Sequence, residues 1–172
     1  MILAADKNGG IGADNSLPWP HISDDLKHFK EVTTDKVVVM GANTWDSLGK
    51  LAPLPGRINY VISSKDSDNF PGAVGVFDYN KVSMADIFTY ITVANPDKDI
   101  MIIGGKTIYD ITYEMCDTIH LTRVHDVYGC DTTVNLDEYL TNYKRLSERY
   151  VYGKEQSPAL TPDISIEYWK RT

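Results

Sequence analysis

The sequence predicts an α/β fold with a largely parallel sheet. Short, continuously apolar segments recur along the 172 residues, as expected of strands that are buried on both faces. Helix-like segments separate most of them, and two of the strands end at glycine directly before the next helix. This alternation is typical of a central, mostly parallel sheet with helices on both faces. The last strands follow one another without helices, which predicts an antiparallel C-terminal edge.

Each element has its own signal in the sequence. Strands are predicted at residues 2–5, 36–40, 58–64, 74–77, 99–103, 118–124 and 164–169. Helices are predicted from Ser23, after Gly41, from Ser83 and from Lys106, because helical spacing of apolar residues begins there. Ser23 is expected to cap its helix, and Ser83 with Asp86 resembles a capping box. Residues 66–75 and 153–163 are predicted surface loops within one domain spanning residues 1–172.

The composition excludes several classes of function. Hydrophobic residues make up 42% of the chain and charged residues 24%, the ordinary mixture of a globular protein. The formal net charge is −7 and the pI is near 5.0, so no basic stripe is available for a nucleic acid. No apolar run reaches the ~18 residues of a membrane span, and the N-terminus lacks the basic flank of a secretion signal. We expect a cytoplasmic protein, and a monomer because no heptad seam is present.

Cysteines and histidines give no sign of a metal site. Cys116 and Cys130 lie far apart without a Cys-x-x-Cys pair, and both are predicted to be buried thiols in a reducing compartment. The four histidines show no ligand spacing, so no metal and no catalytic base are assigned to them. They are His21, His28, His120 and His125.

The strongest functional signal runs from residue 9 to residue 30. Glycines and turn formers lead into Leu17-Pro18-Trp19, and the helix that follows carries Asp24 and Asp25 in its first turn. The apolar face of this helix places Asp25 beside the buried stripe and Asp24 toward water. A carboxylate in that position needs a partner, because desolvating it alone is costly or raises its pKa. Asp25 is therefore either a ligand-binding acid or a charge that complements the helix dipole.

Two strand-glycine-helix junctions, at Gly41 and at Gly104-Gly105, have the same design. Glycine lets the backbone approach a ligand, and the following helix presents free amide groups to a phosphate. Two such junctions in one sheet favour a dinucleotide. The segment Gly105-Lys106-Thr107 is similar to the end of a triphosphate-binding loop, but Ile100 stands where its first glycine is required.

These features together occur in ordered blocks that resemble the dihydrofolate reductase family over nearly the whole chain. The blocks are Ile11-Gly12 with Asn15-x-Leu17-Pro18-Trp19, Asp25-Leu26-x-x-Phe29-Lys30, Val39-Met40-Gly41-x-x-Thr44-Trp45-x-Ser47-Leu48, Leu54-Pro55-Gly56-Arg57-x-Asn59, Ile103-Gly104-Gly105-x-x-x-Tyr109 and Asp131-Thr132. The resemblance implies reduction of 7,8-dihydrofolate to tetrahydrofolate, with hydride transfer from NADPH to pterin carbon 6 and protonation of ring nitrogen 5. It also implies a role in one-carbon and thymidylate metabolism.

The resemblance assigns catalysis to Asp25, Trp19 and Leu17. Asp25 would bind the amidine-like edge of the pterin ring, with Asp24 as the rival acid, while Trp19 and the loop over residues 9–17 would close over the nicotinamide and exclude water. Arg57 would bind the glutamate carboxylate of the substrate. The substrate-binding set is Ile2, Ala4, Asp25, Phe29, Leu48, Leu54, Arg57, Ile103 and Thr122.

The implied cofactor site binds NADPH. Its residues are Ala4, Ile11, Gly12, Asn15, Gly41, Asn43, Thr44, Ser63, Ser64, Lys65, Ile103, Gly104, Gly105, Lys106, Thr107 and Tyr109. Ala42 departs from the family pattern, because many relatives have a basic residue there beside the adenosine phosphate. Ser64 and Lys65 lie where the family commonly binds the 2′-phosphate, so Lys65 would supply that charge. Lys106 replaces a frequent third glycine, and Val134-Asn135 replaces an aromatic-proline pair.

Other functions compatible with the fold remain open from the sequence. A reductase of the same fold that acts on a ribosylated aminopyrimidine would also use NADPH, but it would not need the Leu-Pro-Trp and Asp-Leu-x-x-Phe blocks. A non-catalytic nucleotide-binding module would keep both glycine junctions. A phosphotransferase is disfavoured, because the phosphate-binding loop is incomplete.

Overall fold

The computed structural model describes residues 1–156 and 159–172. The strands are β1 (Ile2–Ala5), β2 (Gly10–Gly12), β3 (Val37–Gly41), β4 (Ile58–Ile62), β5 (Gly75–Phe77), β6 (Ile100–Gly104), β7 (Thr118–Val124), β8 (Thr132–Thr133), β9 (Tyr143–Val151), β10 (Glu155–Gln156), β11 (Ala159–Leu160) and β12 (Ile164–Arg171). The helices are α1 (Ser23–Thr33), α2 (Ala42–Leu48), α3 (Met84–Ala94), α4 (Lys106–Thr112) and α5 (Leu136–Leu140). None of the helices in these residues has the length and apolarity needed to cross a bilayer.

The described chain divides into two compact units, residues 1–30 with 113–172 and residues 31–112. The first unit contains a sheet in the order β1-β7-β12-β9. β1 is parallel to β7, whereas β12 is antiparallel to both β7 and β9. The C-terminal strands therefore form the antiparallel edge that the sequence predicts.

A buried carboxylate connects three strands of the first unit. Glu167 on β12 is 1% exposed, and its Oε2 accepts a hydrogen bond of 2.6 Å from Arg123 Nε on β7. Its other oxygen accepts from Trp169 Nε1 at 2.9 Å and lies 3.9 Å from Arg145 Nη1 on β9. The paired guanidinium groups offset the cost of removing this charge from water.

The second unit contains a parallel sheet in the order β5-β4-β3-β6. Residues 37–40 of β3 are fully buried, which agrees with their unbroken apolar sequence. Helix α3 buries Ile87 and Ile91, and Ser83 Oγ accepts from the backbone N–H of Asp86 at 3.1 Å. The predicted cap of α3 is therefore confirmed.

The predicted cap of α1 is wrong. Ser23 is the first helical residue, and the Ile22 carbonyl accepts from the N–H groups of Asp25 and Leu26, each at 3.1 Å. Ile22 is itself buried at 6% exposure. The packing of this apolar side chain, rather than a hydroxyl cap, therefore sets the start of the helix.

Two further expectations need correction. Cys116 and Cys130 are free thiols but only partly buried, and this burial raises the pKa of both. The predicted loop at residues 153–163 contains the short antiparallel pair β10–β11, while residues 157 and 158 lie outside the described residues.

Candidate active site

Asp25 lies in the first turn of α1 and is partly buried. Burial raises the pKa of its carboxyl above the ordinary value, while a hydrogen bond from the Thr122 side chain and the charge of His28 act in the opposite direction. Thr122 is 2% exposed on β7. The structure thus joins two residues that the sequence assigned to one pocket.

Asp24 has a different environment. Its carboxylate lies 3.6 Å from Lys154 Nζ, and its side chain is 32% exposed. A half-exposed ion pair of this kind contributes little to stability and leaves the carboxylate in contact with water. The two neighbouring acids therefore separate as the helical period predicts, with Asp25 directed to β7 and Asp24 to the surface.

The side chain of Trp19 is packed into the interior of the first unit. It is 6% exposed and contacts a cluster of buried side chains, with the Tyr128 ring edge-to-face at a centroid distance of 6.1 Å. The cluster members are Ile22, Val124, Ile164 and Ile166. By contrast, Leu17 is 52% exposed. The tryptophan is fixed by packing, whereas the loop tip before it is open to solvent.

The loop over residues 9–17 is held to the chain near β8. Gly12 O accepts from the N–H of Asp131 at 3.0 Å, and Asp131 Oδ2 accepts from the N–H of Asp14 at 2.8 Å. Asp14 and Asn15 have positive φ angles of 48° and 57°, which agrees with their identity as turn formers. Ile11 and Gly12 are half-buried and Asn15 is exposed.

Sequence reasoning missed Asp6, the residue that shapes the start of this loop. Asp6 is 3% exposed and accepts backbone N–H bonds from Asn8 at 2.9 Å, Gly10 at 2.8 Å and Tyr128 at 3.0 Å. Cys130 Sγ donates a fourth bond at 3.5 Å. The signal in the sequence was an acid directly after a buried strand and before two glycines.

Both glycine junctions lie at the carboxyl edge of the parallel sheet in the second unit. Met40 on β3 pairs with Gly104 on β6, which brings the two junctions side by side. A Cβ added at Gly104, where φ is +129°, would lie 3.1 Å from Thr44 Oγ1 and 3.2 Å from Tyr109 Oη. A Cβ at Gly41 would lie 3.2 Å from Ile108. The close approach of the two turns therefore depends on glycine.

The next strand of the same sheet brings Ser63 to this edge. Gly41 pairs with Ile62, the last residue of β4. Ser63 Oγ accepts from the N–H of Lys65 at 3.1 Å, and Ser64 and Lys65 are both exposed. Two hydroxyls and one ammonium group thus follow β4 directly.

The start of α4 carries Lys106 and Thr107, two of the residues assigned to the cofactor. Lys106 forms a half-exposed ion pair with Asp110 at 3.1 Å, so its charge is partly satisfied within the helix. Thr107 and Asn43 are exposed, whereas Gly105 and Ala42 are half-buried.

Two hydrogen bonds fix the orientation of the planar guanidinium group of Arg57 in the second unit. Its Nε donates to the Pro55 carbonyl at 2.9 Å and its Nη1 donates to Thr33 Oγ1 at 3.0 Å. Burial lowers the pKa of the guanidinium, which nevertheless stays charged. Leu54 is 6% exposed, and its N–H donates to Asn59 Oδ1 at 2.9 Å.

The remaining predicted substrate residues are apolar. Ile2 and Ile103 are buried at 5% and 8% exposure, and Ala4, Phe29 and Leu48 are half-buried. No group of three or more His, Cys, Asp or Glu side chains arranged to hold a metal ion occurs within residues 1–156 and 159–172.

Comparison with known proteins gives a consistent result. The sequence model of the dihydrofolate reductase family matches residues 1–165. Dihydrofolate reductase type 9 of Escherichia coli is 38% identical over 151 residues, which cover 86% of this chain and 81% of that protein. Dihydrofolate reductase of Bacillus subtilis is 31% identical over 159 residues, covering 92% and 87%.

A solved structure supports the same fold. Dihydrofolate reductase from Enterococcus faecalis, complexed with NADP(H) and RAB-propyl, aligns with a TM-score of 0.79 and 25% sequence identity. The alignment covers 99% of this chain and 94% of that one. The predicted α/β fold class is therefore confirmed.

Proposed function

The chain belongs to the dihydrofolate reductase family, and we propose that it reduces 7,8-dihydrofolate to 5,6,7,8-tetrahydrofolate with NADPH. When bound, NADPH supplies the hydride, from nicotinamide carbon 4 to pterin carbon 6, and ring nitrogen 5 gains a proton from water. We further propose that the chain acts as a single-domain, monomeric, cytoplasmic enzyme. Its product would serve one-carbon and thymidylate metabolism.

The observation that carries the proposal is the partly buried carboxylate of Asp25 beside Thr122. Burial raises its pKa because it destabilises the charged form, so a ligand that donates hydrogen bonds to the carboxylate stabilises that form. The 2-amino group and a ring N–H of a pterin present two donors side by side. A carboxylate accepts both in a charge-assisted, bidentate arrangement, which an amide cannot reproduce because half of it is a donor.

The second unit has a cradle that fits the cofactor. Gly41 and Gly104 leave room that a Cβ would fill, and Thr44 Oγ1 lies at the same place. Backbone amides beside such glycines bind phosphate without steric conflict. We assign the pyrophosphate to Gly41, Thr44 and Gly104-Gly105, with Asn43, Lys106 and Thr107 next to them. Ser63, Ser64 and Lys65 would bind the 2′-phosphate in place of the charge that Ala42 lacks.

The other assigned residues bind and enclose the substrate. Arg57 uses only Nε and Nη1 within the described part of the chain, so its remaining N–H groups would bind the glutamate carboxylate. Phe29, Leu48 and Leu54 would contact the aminobenzoyl group. Ile2, Ala4 and Ile103 would complete the apolar lining, with Tyr109 near the nicotinamide.

The loop before α1 would exclude water from the reaction. The resemblance implies that Trp19 closes together with the loop, but its packing favours Trp19 as the fixed wall of the site, so that the exposed Leu17 would belong to the part that closes. Ile11, Gly12 and Asn15 would contact the cofactor from this loop.

A direct test compares two neighbouring acids. Asp25→Asn is expected to reduce turnover of dihydrofolate at neutral pH by about 10²–10⁴-fold, since it removes one acceptor and the negative charge. Asp24→Asn is the matched control, because Asp24 pairs with Lys154 at the surface. The assay follows the loss of NADPH absorbance, with NADPH affinity measured separately by fluorescence. Equal turnover in the Asp25→Asn variant and the wild type would refute the assignment.

The cofactor assignment has its own test. Wild-type protein is expected to use NADPH better than NADH, and Lys65→Ala should reduce this preference by about tenfold, the equivalent of ~1.4 kcal/mol for one lost charge contact. Turnover of a ribosylated aminopyrimidine instead of dihydrofolate would identify the rival reductase. Cofactor binding without turnover of either substrate would identify a nucleotide-binding module.

A further inference from the structure

A pair of histidines lies beside Asp25 in the first unit. His28 follows Asp25 by three residues on α1, so both side chains lie on one face of the helix, one turn apart. The His28 ring lies 5.9 Å from that of His120 on β7, and the His120 ring lies 5.0 Å from that of Tyr168 on β12. Both histidines are half-buried, and the Nε2 atom of His28 is buried. The sequence assigned no role to either of them.

The position of His28 is set by how α1 lies on β7. His120 and Thr122 are two residues apart on the strand, so their side chains are on the same face. Thr122 is bonded to Asp25, and His120 meets His28. Going from Asp25 to His28 along the helix corresponds to going from Thr122 back to His120 along the strand, so α1 and β7 run in opposite directions at these two contacts. The same packing that fixes Asp25 therefore fixes His28 next to it.

We propose that His28 is a positioning residue that forms a charge pair with Asp25 and exchanges its proton for a cationic ligand bound at that carboxylate. A positive charge on His28 favours the ionised form of Asp25 before the ligand arrives. A protonated heterocycle bound to Asp25 then competes with that charge, so His28 releases its proton when the ligand binds. The proposal rests on the proposed function only where it identifies this ligand as the protonated substrate.

The groups around His28 determine whether its ring carries a proton. Asp25 faces it from its own helix, His120 faces it from β7, and Tyr168 lies behind His120, its directly paired residue on β12. The carboxylate of Asp25 interacts with the charge of His28 and so favours the protonated form of that ring.

The first test measures the titration of Asp25 directly. Protein labelled with ¹³C at the aspartate carboxyl groups is titrated by NMR, and the Asp25 signal is assigned from its loss in Asp25→Asn. In His28→Gln the midpoint of Asp25 is expected to rise by about one pH unit, the low end for loss of an opposite charge within ~6 Å. In His28→Lys, which keeps a positive charge, it should return toward the wild-type midpoint.

The matched control is His125→Gln. His125 bonds Ser165 Oγ at 2.6 Å in the same unit, and it is expected to leave the Asp25 midpoint unchanged. An equal upward shift in His28→Gln and His125→Gln would overturn the proposal, because it would reflect a general loss of packing.

The second test does not require the His28 variants to fold. Coupling between two sites is reciprocal, so Asp25→Asn is expected to lower the midpoint of the His28 ring by about one pH unit, the size of the shift expected for Asp25 itself. The ring is followed by ¹⁵N NMR. An unchanged His28 midpoint in Asp25→Asn would overturn the proposal.

The ligand-linked part is tested with 2,4-diaminopyrimidine, a cationic probe with the same donor edge. The measurement is made below the pKa of the probe, so that it binds already as the cation, and above the Asp25 midpoint found in each protein, so that the carboxyl is already ionised. Binding to the wild type should then release a proton from His28, measured by calorimetry in buffers of different ionisation enthalpy, and this release should disappear in His28→Gln. Equal release in both proteins would refute the exchange. Failure of the purified wild type to reduce dihydrofolate would overturn the proposed function while leaving these titrations valid.

Discussion

Replacing Asp6 with asparagine is expected to destabilise the first unit strongly. Asp6 Oδ1 accepts N–H bonds from Asn8 and Gly10, and Oδ2 accepts from Tyr128. An amide can keep the first two as weaker neutral bonds, but its NH₂ group then faces the N–H of Tyr128. One buried donor without an acceptor and two weakened bonds amount to about 2–4 kcal/mol of unfolding free energy.

The assay is urea unfolding at neutral pH, followed by circular dichroism. Asp126→Asn is the matched control, because Asp126 is exposed and its carboxylate accepts a bond from the neighbouring N–H of Val127 at 2.8 Å. It should change the unfolding free energy by less than about 0.5 kcal/mol. Equal stability of the Asp6→Asn variant and the wild type would refute the reasoning, since it would mean that the three N–H groups find other acceptors.

The pH dependence of this effect has a defined sign. Burial acts to raise the pKa of Asp6, but bonds from Tyr128, Gly10, Asn8 and Cys130 together hold it below the ordinary value. The stability contributed by the carboxylate is therefore present above the unfolded pKa of ~3.9 and is lost as the pH falls through the lower folded pKa. The difference between the wild type and Asp6→Asn should be largest at neutral pH and should shrink in acid.

Two other substitutions test the sheets of the two units. Glu167→Ala leaves the half-exposed Arg123 and the indole N–H of Trp169 without their acceptor. It should lower the unfolding free energy by about 2–3 kcal/mol, which is below the usual range for a broken buried pair because Arg123 can reach water. No change in the urea midpoint would contradict this. Gly104→Ala places a Cβ against Thr44 at a positive φ and should weaken NADPH binding at least about tenfold, the equivalent of ~1.4 kcal/mol, in a fluorescence titration. Gly129→Ala is the control and should have no effect, because the space around Gly129 is open. Equal affinities in the two variants would contradict the prediction.

Local patterns were sufficient for much of the fold. The segments of β3 and β6 were predicted because strands buried on both faces are continuously apolar, and β7 was predicted because its apolar residues partly alternate. The C-terminal strand runs on to Arg171, and β9 was not predicted at all. Residues 144–150 of β9 are exposed and mostly polar, so this strand exists through its pairing with β12 rather than through its own composition.

Local patterns also decided part of the candidate site. The helical period separated Asp25 from Asp24, and the glycines marked both junctions, because each depends on neighbouring residues of one element. Ser23 was wrongly predicted as a cap, since the burial of Ile22 is a property of the packed unit and not of the residues around the helix start.

By itself the sequence determined seven of the strands and four of the helices, the two glycine turns and the acid at the start of α1, because backbone conformation and burial leave a periodic record in the chain. Only the tertiary structure decided that Asp6 meets Tyr128, 122 positions away, and that His28 lies against His120. Such partners are chosen by strand register and by the seating of a helix on a sheet. Their chemistry depends on distances that no local pattern contains.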